Sequence, residues 1–200
     1  VKLMFQSWRD FNEVESKVKW LFDLQKSKIQ LEELVAFHPW FKDRRAEFYV
    51  TGKAQGTLGH LTSQDVWIQG VETQTWLHGA LDLKSLVNLN EFSYRYQLNP
   101  SIADMRDVRD VVVELDSVGR VDYLGNVSLS GTVGGTLNTA DYSGSIANNV
   151  AAYDGDLNFD FTRGIDSLNY TILGGLSQFQ LQELGQDLSH FWIERGELDI

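Results

Sequence analysis

Along most of this chain the hydrophobic residues recur at every second position. Val127, Leu129, Gly131 and Val133 alternate with Ser128, Ser130 and Thr132. Tyr153, Leu157, Phe159 and Phe161 alternate with Asp154, Asp156, Asn158, Asp160 and Thr162. Successive side chains of a strand point to opposite faces, so these stretches predict ribbons with one apolar face and one wet face. A helix would repeat its apolar positions at every third or fourth residue instead. The pattern is fullest over 121–173, and other segments repeat it. From Glu47, the residues Phe48, Val50, Gly52, Ala54, Gly56 and Leu58 share one face, with Tyr49, Thr51, Lys53, Gln55 and Thr57 on the other. A strand near Val66 to Ile68 is followed by Leu77, Gly79, Leu81 and Leu83 on an apolar face. Phe92, Tyr94, Tyr96 and Leu98 oppose Ser93, Arg95 and Gln97, and Val111, Val113 and Leu115 resume the alternation. Short strands are also predicted around Val1, Leu3 and Phe5 and around Trp20, Phe22 and Leu24.

The period changes in few places. Trp8, Phe11 and Val18 fall at helical spacing and predict a short helix over 8–18, with Ser7 or Asp10 as its cap. A second short helix is predicted over 31–37, ended by His38-Pro39, because the residue before proline avoids the α region. Asn99-Pro100-Ser101 predicts a break in its strand, and Ile102 to Val108 a charged helical turn. Asn148-Asn149 and Arg163 to Asp166 predict turns.

An amphipathic sheet must cover its apolar face, by closing into a barrel, by packing on a second sheet, or by curling into an open trough. A closed core is the commoner solution. Two features point instead to the trough. The apolar side is rich in small residues (Gly52, Ala54, Gly56, Gly79, Gly131, Gly144, Gly155), which thin a core and permit curvature. The segment Ser27 to Leu34 also recurs as Ser177 to Leu184, with five identities in eight positions, and His38-Pro39-Trp40-Phe41 is echoed by His190-Phe191-Trp192-Ile193. Stacked repeats extend along an axis. The reading is therefore a mainly β chain forming an elongated, curved amphipathic sheet with one or two short helices. Residues 1–176 make one repeat unit and 177–200 begin the next. Starting at Val1 inside an alternating segment, and stopping after Asp199-Ile200, the chain reads as a piece of something longer.

Composition narrows the function. A formal net charge of −11 over 200 residues argues against nucleic acid, which requires clustered Lys and Arg, and disfavours docking on an anionic membrane. There is no cysteine, hence no disulfide and no thiolate metal site. Asp154-Gly155-Asp156-Leu157-Asn158 spaces oxygens as a calcium loop does, but Phe159 and Ile165 stand where that loop needs Gly and Glu. The histidines His38, His60, His78 and His190 lack ligand spacing, and there is no nucleophile motif such as Gly-x-Ser-x-Gly, so no catalytic residue, cofactor or metal is expected. Most tryptophans are expected to pack helix to sheet, while Tyr49 and Trp76 fall on the wet face and are candidates for a partner contact.

One stretch carries a resemblance. Val50-Thr51-Gly52-Lys53-Ala54-Gln55-Gly56-Thr57-Leu58-Gly59-His60-Leu61 is followed by Asp65-Val66-Trp67-Ile68, by Thr75-Trp76-Leu77-His78-Gly79-Ala80-Leu81-Asp82-Leu83, and by Leu86-Val87-Asn88-Leu89-Asn90-Glu91-Phe92. This order resembles the repeat region of the TamB-like (AsmA-like) family of bacterial intermembrane bridge proteins, in its Bacteroidota-type form. Ser85-Leu86-Val87-Asn88 stands where that family has a Gly-Leu-Pro-Asp turn. The resemblance implies a folded-over "β-taco" sheet in the periplasm, part of a parent protein anchored in the inner membrane. It implies partnership with an outer-membrane Omp85-type (TamA/BamA-like) barrel, and a role in phospholipid movement or outer-membrane protein assembly. The expected lining for phospholipid acyl chains is Val50, Leu58, Leu77, Leu81, Phe92, Tyr94, Tyr96, Val111, Val113, Leu129, Val133, Leu157, Phe159 and Phe161. The alternative is a structural or adhesive β-domain of a cell-surface protein, with a closed core.

Overall fold

The computed structural model describes residues 1–36, 41–112, 124–162 and 169–177. Ten strands form one antiparallel sheet in which spatial order equals chain order. They are β1 (Lys2–Met4), β2 (Lys19–Gln30), β3 (Glu47–Thr57), β4 (His60–Gly70), β5 (Trp76–Lys84), β6 (Ser93–Asp104), β7 (Asn126–Gly135), β8 (Thr139–Ala147), β9 (Ala152–Asp160) and β10 (Asn169–Ser177). β1 and β10 each pair on one side alone among the described residues, so the sheet is open and unclosed. The chain is mainly β, as the period of two dictates.

Helical structure is confined to strand ends. A 3₁₀ turn over Trp8–Glu13 runs into α1 (Val14–Lys17), and another 3₁₀ turn covers Leu31–Ala36. Ser7 caps the first: its hydroxyl accepts the Arg9 N–H, while the Asp10 carboxylate accepts the N–H groups of Gln6 and Ser7. α2 (Met105–Val111) starts because the Asp104 carboxylate accepts the Arg106 N–H at 3.0 Å. Trp8 departs from the expected helix-to-sheet packing: it is 80% exposed and stacks only on its neighbours Phe5 and Phe11.

Register aligns the apolar positions of all strands on one face. One transverse row runs Ser63–Leu81–Tyr96–Val133–Tyr142–Leu157–Ile172, and another runs Ser101–Leu129–Ile146–Tyr153–Leu176. Between them lies Leu24–Gly52–Val66–Gly79–Leu98–Gly131–Gly144–Gly155–Gly174, in which six of nine positions are glycine. At Gly131 (φ 141°) and Gly144 (φ 154°) the backbone occupies a region nearly closed to other residues, and a Cβ on Gly144 would sit 2.7 Å from the Gly131 Cα. At the glycines of this row the strands approach so closely that a side chain is excluded.

Tyrosines bridge the gap. The Tyr142 hydroxyl shares its proton between the Ser145 and Ser130 carbonyls at 2.7 and 2.9 Å, passing over Gly144. Tyr153 does the same over Gly155, to Asp156 at 2.9 Å and Leu173 at 3.0 Å. Tyr96 reaches across the Gly79 strand to the Val66 carbonyl at 3.0 Å. Aromatic rings lying over strand glycines restore the apolar cover that glycine lacks. Tyr142→Phe leaves the ring in place and removes the hydroxyl, so its expected cost is about 1 kcal/mol; urea denaturation of the variant beside wild type measures it.

Pro100 does not break its strand. β6 runs through it, with the register shifting between Leu98 and Ser101. A bulge leaves a residue outside the ladder, where a missing N–H costs nothing.

Candidate functional site

The open apolar face is the candidate site. Val50, Leu77, Leu81, Tyr94, Leu129, Val133, Leu157 and Phe159 stand on it within strands and are half-buried, and Tyr96 is buried among them. Phe92 and Phe161 lie just beyond strand ends and extend the same rows, stacked on Tyr94 and Phe159 with ring centres 6.2 and 6.3 Å apart. The core in the strict sense is small: Val18 is the one large side chain fully sealed among the described residues. The face therefore offers hydrocarbon contact without being filled by a second layer.

Two of the expected lining residues depart. Leu58 is not on the strand, because β3 ends at Thr57 and Leu58-Gly59 forms the two-residue turn that returns to His60. Its carbonyl accepts the Leu86 N–H at 2.9 Å, which ties the turn to the segment after β5. Val111 closes α2 instead of opening a strand, because Asp104 starts a helix that takes up Met105, Val108 and Val111 at helical spacing. Val113 lies outside the described residues, as do the turn expected at Arg163 to Asp166 and the second copy of the repeat from Gln178 onward.

A recess of about 380 Å³ indents this face at the α2 end, between Met105 and Val108 of the helix and Val127, Leu129, Tyr142 and Tyr153 of the sheet. A polar cluster at the start of α2 was missed by sequence reading. Asp104, only 4% exposed, accepts Arg106 Nη2 at 2.6 Å and Arg106 Nε at 3.0 Å, while its own backbone N–H donates to the Thr75 hydroxyl at 2.9 Å. The Thr73 hydroxyl donates to the buried Asp107. The Arg106 hydrogen bonds, strongest among several, hold the Asp104 carboxyl at about 2, below its usual 3.8. The available signal is Asp104-Met105-Arg106-Asp107, an N-cap followed by charges. Burial pushes the phenols of Tyr94, Tyr96 and Tyr142 above their ordinary range, so they stay neutral hydrogen-bond donors on the apolar face.

The opposite face is polar and carries its own features. His60 lies 3.1 Å from Asp82, and His78 lies 2.7 Å from Asp65. Tyr49 and Trp76 stand on this face, with Lys26 Nζ 4.9 Å from the Tyr49 ring centre. Asp154, Asp156 and Asn158 alternate outward along β9.

No protein-family model, curated protein or solved structure matches this chain.

Proposed function

We propose that this chain is a non-enzymatic segment of a lipid-conducting bridge, in which the open apolar face receives phospholipid acyl chains while headgroups remain toward water. The observation that supports this reading is an apolar face continuous from β2 to β10 whose residues are for the most part only half-buried. Each methylene moved from water onto such a surface gains about 0.8 kcal/mol, with no directional contact required. An acyl chain can therefore slide along the rows without paying to break a specific bond. A sheet whose edge strands pair on one side alone among the described residues weighs against the closed-core adhesive alternative. The periplasmic location, the inner-membrane-anchored parent and the Omp85-type barrel partner, with its link to outer-membrane protein assembly, belong to the same proposal and rest on the resemblance described above.

Photocrosslinking tests it. A photoreactive residue at Phe159 or Leu129 is expected to capture phospholipid in cells, and one at the outward Asp156 is not. Lipid captured at Asp156 and absent at Phe159 overturns the reading. Leu129→Asp, in the half-buried wall of the recess, is expected to abolish lipid capture at Phe159, with a far-ultraviolet dichroism spectrum still that of a sheet.

A further inference from the structure

The sheet carries an aligned set of irregularities that the lipid reading does not use. Two residues of one strand span the step that one residue spans on its neighbour at three places: Gln25-Lys26 in β2, Gln64-Asp65 in β4 and Asn99-Pro100 in β6. These bulges flank Leu24, Val66 and Leu98, the members of the central row that are not glycine. They lie on alternate strands, roughly 10 Å apart. Polar residues thus stand in a line across the sheet.

Two hollows on the polar side follow that line. The larger, about 1000 Å³, lies over β2 to β4, and its wall mixes Leu21 and Phe22 with Gln25, Gln55, Gln64 and Trp67. The smaller, about 370 Å³, lies over β5 to β8 and includes Trp76, Pro100, Ser128 and Ser145. Trp67 and Trp76 stand where the two meet, with ring centres 4.9 Å apart. His78 backs Trp67 in a near-parallel stack, 3.7 Å between centres at 13°. The bulges hold that histidine: Asp65 meets its Nε2 at 2.7 Å, and the Asn99 amide meets its Nδ1 at 3.2 Å. The indole is thereby fixed from behind while it forms part of the hollow's wall.

We propose that this groove is a binding site for a neutral saccharide. A sugar ring presents an apolar C–H face bounded by hydroxyls, and it needs a flat aromatic surface beside groups that both donate and accept. Trp67 supplies the surface. Gln25, Gln55 and Gln64 supply exposed amides that do both. Charge argues against anionic ligands. Lys2 and Lys53 are balanced on the same wall by Asp23 and Asp65, with Lys53 3.8 Å from Asp23, so no excess positive charge awaits phosphate or nucleic acid. The volume of the larger hollow suits a small oligomer.

The experiment titrates the 200-residue chain with chitotetraose, cellotetraose and maltotetraose, and with an unstructured Gly/Ser peptide, following tryptophan fluorescence and saturation-transfer NMR. At least one saccharide is expected to bind saturably, and both Trp67→Ala and Gln64→Ala are expected to weaken it about tenfold or more, or about 1.4 kcal/mol. Gln64 is exposed on a bulge, so its variant keeps the test valid if Trp67→Ala does not fold. Leu157→Ala on the opposite face is expected to leave saccharide binding unchanged. Absence of saturation with all three sugars, binding indifferent to Gln64→Ala, or binding of the peptide in place of sugar overturns the proposal.

Discussion

Gly144→Ala is expected to cost about 3 kcal/mol or more, and it leaves no polar or catalytic group altered. The added methyl meets the Gly131 Cα at 2.7 Å and the Ser130 carbonyl oxygen closer still. Both are backbone atoms of the paired strand and cannot swing aside as a side chain would. The φ of 154° adds strain of about 1–3 kcal/mol, and the overpacking adds a similar amount. Gly175→Ala is the control: a Cβ there meets nothing within 4 Å, so its effect should stay within about 0.5 kcal/mol. Urea denaturation followed by dichroism separates the two. Equal effects at both positions would contradict the close approach of β7 and β8.

The second large effect concerns acid. Asp104 is held at about 2 in the folded chain, against 3.8 for a free aspartate. Its folded value is depressed, so its contribution to stability is complete above about pH 4 and is lost as the pH falls toward 2. A shift of that size corresponds to about 2 kcal/mol. Asp104→Ala also removes the cap on α2, whose Arg106 N–H bond is already among the causes of that shift. The variant should therefore trail wild type by about 2 kcal/mol at neutral pH, and the gap should narrow toward pH 2 as wild type loses its charged pair. Denaturation curves at intervals from pH 6 to pH 2 measure this. A gap of constant width would mean that the Asp104–Arg106 pair carries no such weight.

Much of the sheet was legible in the residue order because period two is a local signal. Phe48 through Gly56, Tyr94 through Leu98 and Tyr153 through Phe159 alternate as their strands do. What failed was punctuation. Leu58 continues the alternation on paper, yet Gly59 turns the chain one residue later. Pro100 reads as a stop, but a bulge absorbs it. Val111 fits both periods, and the cap at Asp104 decides for the helix. The glycine row and its tyrosine cover were beyond local reading. Tyr142-Ser143-Gly144 and Tyr153-Asp154-Gly155 share a Tyr-x-Gly spacing, but only cross-strand register reveals that the glycines face one another. The bulge line has the same origin, since Gln25, Gln64 and Asn99 fall into one line only through pairing.

Each strand of this protein bonds to the strands before and after it in the chain, and to no others among the described residues. Insertion or loss of one hairpin would then leave every remaining partnership intact, provided the register of the glycine row is kept. Such an architecture can change its length in steps of two strands, roughly 10 Å each, during evolution or engineering. A body built this way can be lengthened or shortened with its cross-section left unchanged.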